Sequence, residues 1–233
     1  MATVQTERTV KTGIQGLDPL IQGGLRTGDF ILLLGDIGSG KTVFASQFAY
    51  GGASLYGERA LYATLEEDVA TYKRNMLRLG MDFNALEKAK MVKLMDLDAL
   101  EGSGVASNMD AILKALDSVK AKRLVVDSLT AFLSGAQGKF DYSFLMRLVY
   151  KTLKREGVTT VMTMSRAGLS AQAPARIEEF VSDGIFELQN YVARDVEMRT
   201  RFVVRKLRGT EHSRRYHSVL ITPKGIEILP YSA

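Results

Sequence analysis

The stretch FILLLGDIGSGKT, residues 30–42, joins an apolar run to a glycine-rich turn that ends in a lysine and a threonine. Its first five residues form a continuous apolar segment of the kind found in strands that are buried on both faces. The segment that follows, residues 42–57, has the composition of a helix. The sequence therefore predicts a buried strand, a tight loop and a helix in that order.

The turn itself, GDIGSGKT at residues 35–42, has the spacing G-x-x-x-x-G-K-[ST] in the strand–loop–helix context that this pattern requires. Backbone N–H groups of such a loop and the helix N-terminus can surround polyphosphate oxygens. The alternative, a glycine turn that binds nothing, is disfavoured by the flanking strand and helix. We expect Lys41 to reach the β- and γ-phosphates of ATP and Thr42 to bind Mg²⁺. The whole set expected to bind nucleotide is Gly35, Ile37, Gly38, Ser39, Gly40, Lys41, Thr42 and Val43.

Acidic residues end two other predicted strands. Asp127 ends the apolar strand RLVVD, and a carboxylate in that place is suited to holding Mg²⁺ through water. Glu66 and Glu67 end the strand ALYATLEE, residues 60–67, and the carboxyl ends of parallel strands meet at one edge of a sheet. Neighbouring strand residues point to opposite faces, so we assign the water-activating base to Glu66 and a supporting role to Glu67. Two solvated acids at a helix start remain the alternative.

Strand and helix patterns alternate through most of the chain. Further helices are predicted at residues 72–80, 107–120 and 143–157, and further strands at 91–96 and 159–165. Such alternation is typical of a mainly parallel sheet with helices on both faces. In the last third, strand-like segments joined by short turns predict antiparallel strands that extend the sheet, at residues 184–192, 198–207, 216–222 and 225–230. No repeat, linker or composition break divides the chain, so we interpret residues 1–233 as one α/β domain.

The composition excludes several classes of protein. A chain of 233 residues can bury a substantial core without cross-links. It has no cysteine and two histidines, which excludes disulfides and leaves little material for a metal cage. Its N-terminus has no apolar signal core and its longest apolar run is too short to span a bilayer, so we expect a cytoplasmic protein without a membrane partner.

Five segments, in order along the chain, together resemble the KaiC family of RecA-like ATPases. They are TGIQGLDPLIQGGLRTGDFILLLGDIGSGKT (12–42), ATLEED (63–68), VTTVMT (158–163), EEFVSD (178–183) and KLRGTEH (206–212). The resemblance implies a RecA-like P-loop NTPase fold. It also implies assembly into a ring, usually a hexamer, with ATP and Mg²⁺ bound between neighbouring protomers and an unknown protein as partner.

The same resemblance implies roles for individual residues. Glu66 is the carboxylate that activates water, and Arg78 contacts the nucleotide of its own subunit. The residues that approach the nucleotide of the adjacent subunit are Lys206, Leu207, Arg208, Thr210 and His212, with Thr222 near the base of that nucleotide.

The chain also departs from the family pattern in two ways. It has one phosphate loop and no equivalent of the Ser/Thr pair that clock proteins phosphorylate, so neither a clock role nor autokinase activity is expected. Pro223 stands where the family often has an acid.

Six basic residues and one acid lie between Arg201 and Arg215, in a chain of formal net charge +5. We expect Lys206 and Arg208 to supply positive charge to the γ-phosphate of a neighbour's ATP. Alternation along the strand predicts that its other arginines, Arg199, Arg201 and Arg205, form a solvated face, as is common on edge strands. We expect the remaining basic residues, Arg214, Arg215 and His217, to lie on the surface.

Two alternative functions stay open at this point. Single-stranded DNA could bind to loops at residues 133–141 and 166–176, whose candidate contacts are Lys139, Phe140, Arg166 and Arg176. The near absence of aromatic side chains for base stacking disfavours that function. The second alternative is an assembly module that ATP controls and in which turnover is incidental.

Overall fold

A mixed sheet of nine strands forms the centre of the described part of the chain in a computed structural model. The structure describes residues 9–97, 104–134, 142–166, 181–194 and 196–230. The strands are β1 (Thr9–Val10), β2 (Leu25–Arg26), β3 (Phe30–Gly35), β4 (Ala60–Thr64), β5 (Val92–Asp96), β6 (Arg123–Asp127), β7 (Thr159–Ser165), β8 (Gly184–Ala193), β9 (Glu197–Leu207), β10 (His217–Thr222) and β11 (Gly225–Pro230). The helices are α1 (Lys41–Tyr56), α2 (Val69–Arg78), α3 (Phe83–Lys88), α4 (Val105–Val119), α5 (Leu129–Ser134) and α6 (Tyr142–Glu156).

The strand order of the central sheet is β11-β10-β9-β8-β3-β7-β6-β4-β5, and β1 and β2 form a separate antiparallel pair. Strands β3 to β8 are mutually parallel, whereas β9, β10 and β11 continue the sheet antiparallel. The predicted α/β fold with C-terminal antiparallel strands is confirmed. The expectation for residues 184–192 was wrong in one respect, because β8 is parallel to β3. Its first five residues are all buried, as in a strand covered on both faces.

Helices pack on both faces of the sheet and bury alternate residues of β3. One core contains Ile31 and Leu33 together with residues of α1, α2 and α3. The other contains Phe30, Leu32 and Leu34 together with residues of α4, α5 and α6. Because both faces of β3 are buried, the loop that follows it leaves the sheet from a rigid strand.

Three local details differ from the sequence prediction. Strand β4 ends at Thr64, so Glu66 and Glu67 lie in the turn before α2. The six-residue helices α3 and α5 were not predicted. Strand β9 lies between β8 and β10, and the outer strands of the sheet are β5 and β11. The suggestion that the arginines of β9 lie on an edge strand was therefore wrong. Within the described residues, no helix combines the length and the apolar composition that a membrane crossing needs.

Candidate nucleotide site

The loop between β3 and α1 is held in shape by its own lysine. Lys41 Nζ donates hydrogen bonds to the carbonyl oxygens of Gly35, at 3.1 Å, and Asp36, at 2.8 Å. Gly38 and Gly40 have φ angles of +74° and +91°, a region that residues with a Cβ rarely adopt. The chain therefore curls around the start of α1, where free N–H groups and the helix dipole favour an anion.

Two further groups show that the loop is suited to a polar ligand. Ser39 Oγ is buried and has no hydrogen-bond partner in the described part of the chain. A Cβ built on Gly35 would lie 2.6 Å from that same oxygen, so the interior of the loop has no room for a side chain there. A buried hydroxyl without a partner is costly, and a bound phosphate would satisfy it.

Strand β8 braces the tip of the loop. The backbone N–H of Asn190 donates to Asp36 Oδ2 at 2.8 Å, and the Asn190 side-chain amide donates to the Ile37 carbonyl at 3.0 Å. The hydroxyl of Thr200 donates to Asn190 Oδ1 at 2.9 Å and orients that amide. Asn190 was not predicted from the sequence, because an asparagine inside a strand belongs to no motif. The Ile37 side chain is 77% exposed, so it is presented to solvent beside the loop.

Asp127 ends β6 and is 5% exposed. Its carboxylate accepts hydrogen bonds from the hydroxyl of Tyr62, at 2.9 Å, and from that of Thr163 on β7. Burial raises the pKa of Tyr62 well above its ordinary value, and the charge of Asp127 raises it further, so Tyr62 remains a neutral donor. These two donors fix the carboxylate while leaving lone pairs for a metal or water. Neither Tyr62 nor Thr163 was predicted from the sequence.

Glu66 and Glu67 point to different parts of the molecule. Glu66 accepts a hydrogen bond from the hydroxyl of Ser128, the residue after β6, whereas Glu67 Oε1 accepts one from Asn75 on α2 at 2.5 Å. The hydroxyl oxygen of Thr64 accepts hydrogen bonds from the backbone N–H of Glu66, at 3.4 Å, and from that of Glu67, at 3.3 Å. The expected divergence is present, but the turn after β4 produces it rather than strand alternation.

The charges of the site centre on Lys41. Burial lowers the pKa of Lys41, and the nearby carboxylates of Asp127, Glu66 and Asp36 oppose that shift. Three carboxylates therefore lie within electrostatic reach of this ammonium, and with Arg166 Nε 3.9 Å from Asp36 Oδ1 as a second cation the carboxylates still outnumber the positive charges. A polyphosphate requires additional positive charge to bind there.

The residues fit a magnesium ion that arrives with the nucleotide. The described residues contain no group of three or more His, Cys, Asp or Glu arranged to hold a metal. Mg²⁺ does not need such a group, because it commonly takes one or two protein oxygens and completes its shell with phosphate oxygens and water. Thr42 at the start of α1 and Asp127 would supply those oxygens.

Lys206 and Arg208 lie at the opposite end of the strands from the phosphate loop, beside the start of β3. Gly184 at the start of β8 pairs with Leu207, and Arg208 N donates to the Asp183 carbonyl at 2.9 Å. Asp183 in turn accepts the N–H of Phe30, the first residue of β3. The six residues of β3 span roughly 17 Å, and the phosphate loop begins at their far end. The structure therefore does not bring these two cations to the phosphate loop of their own chain.

The other residues of this segment have mixed surroundings. The side chain of Leu207 is buried in the core, so it is not available to a ligand. His212 is half-buried, and its Nδ1 lies 3.2 Å from the carbonyl of Thr210. Thr210 is half-buried as well.

Thr222 does not lie with this segment, contrary to the expectation that it joins Lys206 and Arg208 at a neighbour's nucleotide. It ends β10 at the same edge as the phosphate loop of its own chain, and a Cβ built on Gly40 would lie 2.7 Å from the preceding residue, Ile221. The reason is topological, because β10 runs in the same direction as β3. The chain just after Arg78 approaches this region, since a Cβ on Gly80 would lie 2.9 Å from the Pro223 carbonyl.

Arg199 and Arg205 are exposed, as expected of a solvated face on β9, whereas Arg201 is half-buried. Arg201 stacks on the ring of Tyr216, with its Cζ 3.9 Å from the ring centroid. Arg205 is the extra residue at a bulge in the pairing with β8, and its guanidinium lies 3.5 Å from the buried carboxylate of Glu187. Arg166 binds the same carboxylate at 2.8 Å. Of the other candidate DNA contacts, Lys139, Phe140 and Arg176 lie outside the described residues.

The expected surface position was right for Arg214 and Arg215 but wrong for His217. Arg214 and Arg215 are exposed, whereas His217 is 9% exposed. His217 begins β10, and its Nε2 lies 2.8 Å from the hydroxyl of Ser213. Burial lowers the pKa of His217, and the charge of Arg215 lowers it further.

Comparison with known proteins decides the family. The model of the family described as "ATPase: KaiC" matches residues 10–233. The chain belongs to the KaiC family. It is 35% identical to the circadian clock oscillator protein KaiC of Parathermosynechococcus lividus, over 96% of this chain and 42% of that protein. It is 32% identical to the circadian clock protein KaiC2 of Synechocystis, over 95% of this chain and 40% of that protein.

A solved structure extends the likeness to the whole fold. The KaiC-like protein from the hyperthermophilic archaeon Pyrococcus horikoshii OT3 superposes with a TM-score of 0.85 at 33% sequence identity, covering 96% of this chain and all of that chain. The chain thus spans about two fifths of the curated clock proteins but the full length of this KaiC-like structure. It is a KaiC-like ATPase domain of the RecA superfamily.

Proposed function

We propose that this KaiC-like domain hydrolyses ATP with Mg²⁺ at a site shared between neighbouring copies in a ring. The observation that carries the proposal is the separation of Lys41 from Lys206 and Arg208 by the length of β3. The phosphate loop lies at the carboxyl end of β3, and Lys206 and Arg208 lie at the opposite end of the strands. A nucleotide can meet both groups only between two subunits.

This arrangement favours a head-to-tail interface. The face that offers the loop differs from the face that offers Lys206 and Arg208, so each subunit uses one face toward each neighbour. Such heterologous contacts close into rings when the rotation between subunits permits. We infer a homo-oligomeric ring, with a hexamer as the expected size.

Each residue of the site then has a distinct role. Loop N–H groups and Lys41 bind the β- and γ-phosphates, and Glu66 accepts a proton from the water that attacks the γ-phosphorus as the bond to ADP breaks. The Ser128 hydroxyl orients the Glu66 carboxylate. Mg²⁺, held by Thr42 and Asp127, would offset the negative charge of the site. Lys206 and Arg208 from the neighbour would stabilise the charge on the departing phosphoryl group.

Contacts to the base and the ribose come from both subunits in this proposal. We assign Thr222 and Arg78 to the nucleotide bound by the phosphate loop of their own chain, a choice supported by the approach of Ile221 to Gly40 and of Pro223 to Gly80. The main chain of Leu207 and the side chains of Thr210 and His212 are assigned to the neighbour's nucleotide. Each subunit then binds one ATP and completes the site of another.

The output of the cycle is proposed to be regulation of a cytoplasmic protein partner. The relatives carry the name of circadian clock proteins, but this chain spans less than half of their length. Nucleic acid is a weaker candidate, because Arg166 and Arg205 are both engaged by Glu187 and Arg201 is stacked on Tyr216.

Steady-state phosphate release from ATP, with and without Mg²⁺, tests the proposal. We expect turnover that requires Mg²⁺ and that is lost in Lys41→Ala. The matched control is Lys114→Ala, which removes an exposed lysine that pairs with Asp110 on α4. Nucleotide binding and ring assembly without any turnover above the Lys41→Ala background would contradict it and favour an assembly module.

A further inference from the structure

The segment that carries Lys206 and Arg208 is held by two carbonyl oxygens from the residues just before β8. Lys206 Nζ donates to the Ser182 carbonyl at 2.7 Å, and Arg208 N donates to the Asp183 carbonyl at 2.9 Å. Ser182 is fully buried, and Asp183 is 5% exposed. The turn Ser182–Asp183 therefore holds the Lys206 ammonium and the main chain of Arg208 in position.

The Asp183 side chain fixes this turn to the rest of the fold. Its Oδ2 accepts hydrogen bonds from Phe30 N, at 3.0 Å, and from Lys154 Nζ, at 2.7 Å, and its Oδ1 accepts one from the Tyr150 hydroxyl at 3.1 Å. The donors come from β3 and from α6. A buried carboxylate with three donors, one of them charged, is held strongly in one orientation.

Arg208 lies beside the same cluster. Burial raises the pKa of Tyr150, the charge of Asp183 raises it further, and the charge of Arg208 lowers it. The guanidinium of Arg208 is thus within electrostatic reach of the hydroxyl that binds Asp183. The Asp183 side chain, the turn Ser182–Asp183 and Arg208 therefore lie together at the end of the strands opposite the phosphate loop.

We propose that Asp183 is a positioning residue for the nucleotide contacts made across the subunit boundary, an inference that rests on the shared site proposed above. Asp183 acts through Lys206 and Arg208 and contacts no nucleotide itself. Its loss should impair only the sites that receive these two cations from the variant subunit. The phosphate loop of the variant subunit should still bind ATP, because it lies at the opposite end of the strands from Asp183.

Subunit mixing distinguishes this role from a general loss of stability. Asp183→Asn keeps the shape of the side chain and removes the charge that binds Lys154, and kcat should fall on the order of 10²-fold because the cations are misplaced. ATP binding by the variant should be unchanged. Exchange with Lys41→Ala subunits should restore activity, since each variant supplies what the other lacks. Exchange with Arg208→Ala subunits should restore none, because both defects lie on the same face.

Glu58→Gln is the matched control, since Glu58 is bound to the buried guanidinium of Arg123 at 2.8 Å instead of to the turn Ser182–Asp183. It removes one charge from a comparable ion pair and should not produce the one-sided mixing pattern. Recovery with neither partner, or full activity of Asp183→Asn alone, would overturn the positioning role. If Asp183→Asn does not fold, Lys154→Met breaks the same ion pair from α6, and wild-type activity in that variant would overturn the role instead.

The result also separates this inference from the proposed function. If Arg208→Ala and Lys41→Ala restore each other while Asp183→Asn and Lys41→Ala do not, the shared site stands and the role of Asp183 is wrong. If neither pair recovers in rings shown to have exchanged subunits, the shared site itself is wrong and the role of Asp183 falls with it.

Discussion

Lys41 and Arg208 lie at opposite ends of the strands of one sheet, separated by the length of β3. Lys41 follows the carboxyl end of β3 and bonds to Gly35, the last residue of that strand. Arg208 follows β9, whose end pairs with the start of β8. Because β9 is antiparallel to β8 and β8 is parallel to β3, no rotation of an arginine side chain brings Arg208 to the loop. Any chemistry that needs both residues needs two subunits.

The assignment of the base predicts unequal effects at two adjacent glutamates. Glu66→Gln should lower steady-state hydrolysis by about 10²-fold or more, because an amide cannot accept the proton of the attacking water. Glu67→Gln makes the same change of charge next to Asn75 and should have a much smaller effect. Phosphate release and titration with a fluorescent ATP analogue should show lost turnover with retained binding in Glu66→Gln. Equal losses of turnover in the two variants would contradict the assignment.

The brace on the phosphate loop predicts a role for Asn190 in binding. Asn190→Ala removes the side-chain hydrogen bond to the Ile37 carbonyl, and the Kd for ATP should rise about fivefold, as expected for a hydrogen bond of about 1 kcal/mol. Gln189→Ala is the matched control, because its side chain binds Arg201 instead. The fluorescent analogue measures both Kd values. An unchanged Kd for Asn190→Ala would show that the loop holds its shape without this brace.

The packing of α1 against a buried arginine predicts a large loss of stability in Gly52→Ala. A Cβ on Gly52 would lie 2.2 Å from Arg123 Nε, and Arg123 is fully buried and bonded to the Phe48 carbonyl at 2.8 Å. The free energy of unfolding should fall by about 1–3 kcal/mol, as is typical of overpacking. Ser54→Ala, on the exposed side of the same helix, should leave it nearly unchanged. Urea denaturation of the two variants provides the comparison.

The burial of His217 predicts a stability that depends on pH. Its pKa is lowered from an ordinary value of 6.5 in the folded state, so the unfolded chain binds the proton more readily. The contribution of His217 is therefore fully present above about pH 6.5 and is lost as the pH falls toward the lowered folded pKa. Between about pH 7.5 and about pH 5.5, the Tm of the wild type should fall further than the Tm of His217→Gln. Parallel Tm curves would contradict this, and His212→Gln is the control.

Much of the fold and of the phosphate site could be predicted from local sequence. The alternation of apolar segments and the spacing around Lys41 are local patterns, and the structure places Asp127 and Glu66 in the electrostatic environment of that lysine. The direction of β8 could not be predicted from its own residues, because parallel pairing with β3 depends on a crossover from β7.

The supporting contacts could not be predicted for the same reason. Tyr62, Thr163 and Asn190 meet the site from three different strands, and none of them belongs to a spaced motif. The bulge at Arg205 could not be predicted either, because the extra residue in β9 is defined only by the pairing with β8. Long-range pairing decided these positions.

Mixing Lys41→Ala with Arg208→Ala subunits tests the shared site most directly. Each variant alone should be inactive. After subunit exchange at equal amounts, about a quarter of the interfaces should combine an intact loop with an intact Arg208, since each is present in half of the subunits and the two faces differ. We expect hydrolysis to recover toward that fraction of the wild-type rate. Rings that have exchanged subunits and remain inactive would contradict a nucleotide site shared between neighbours.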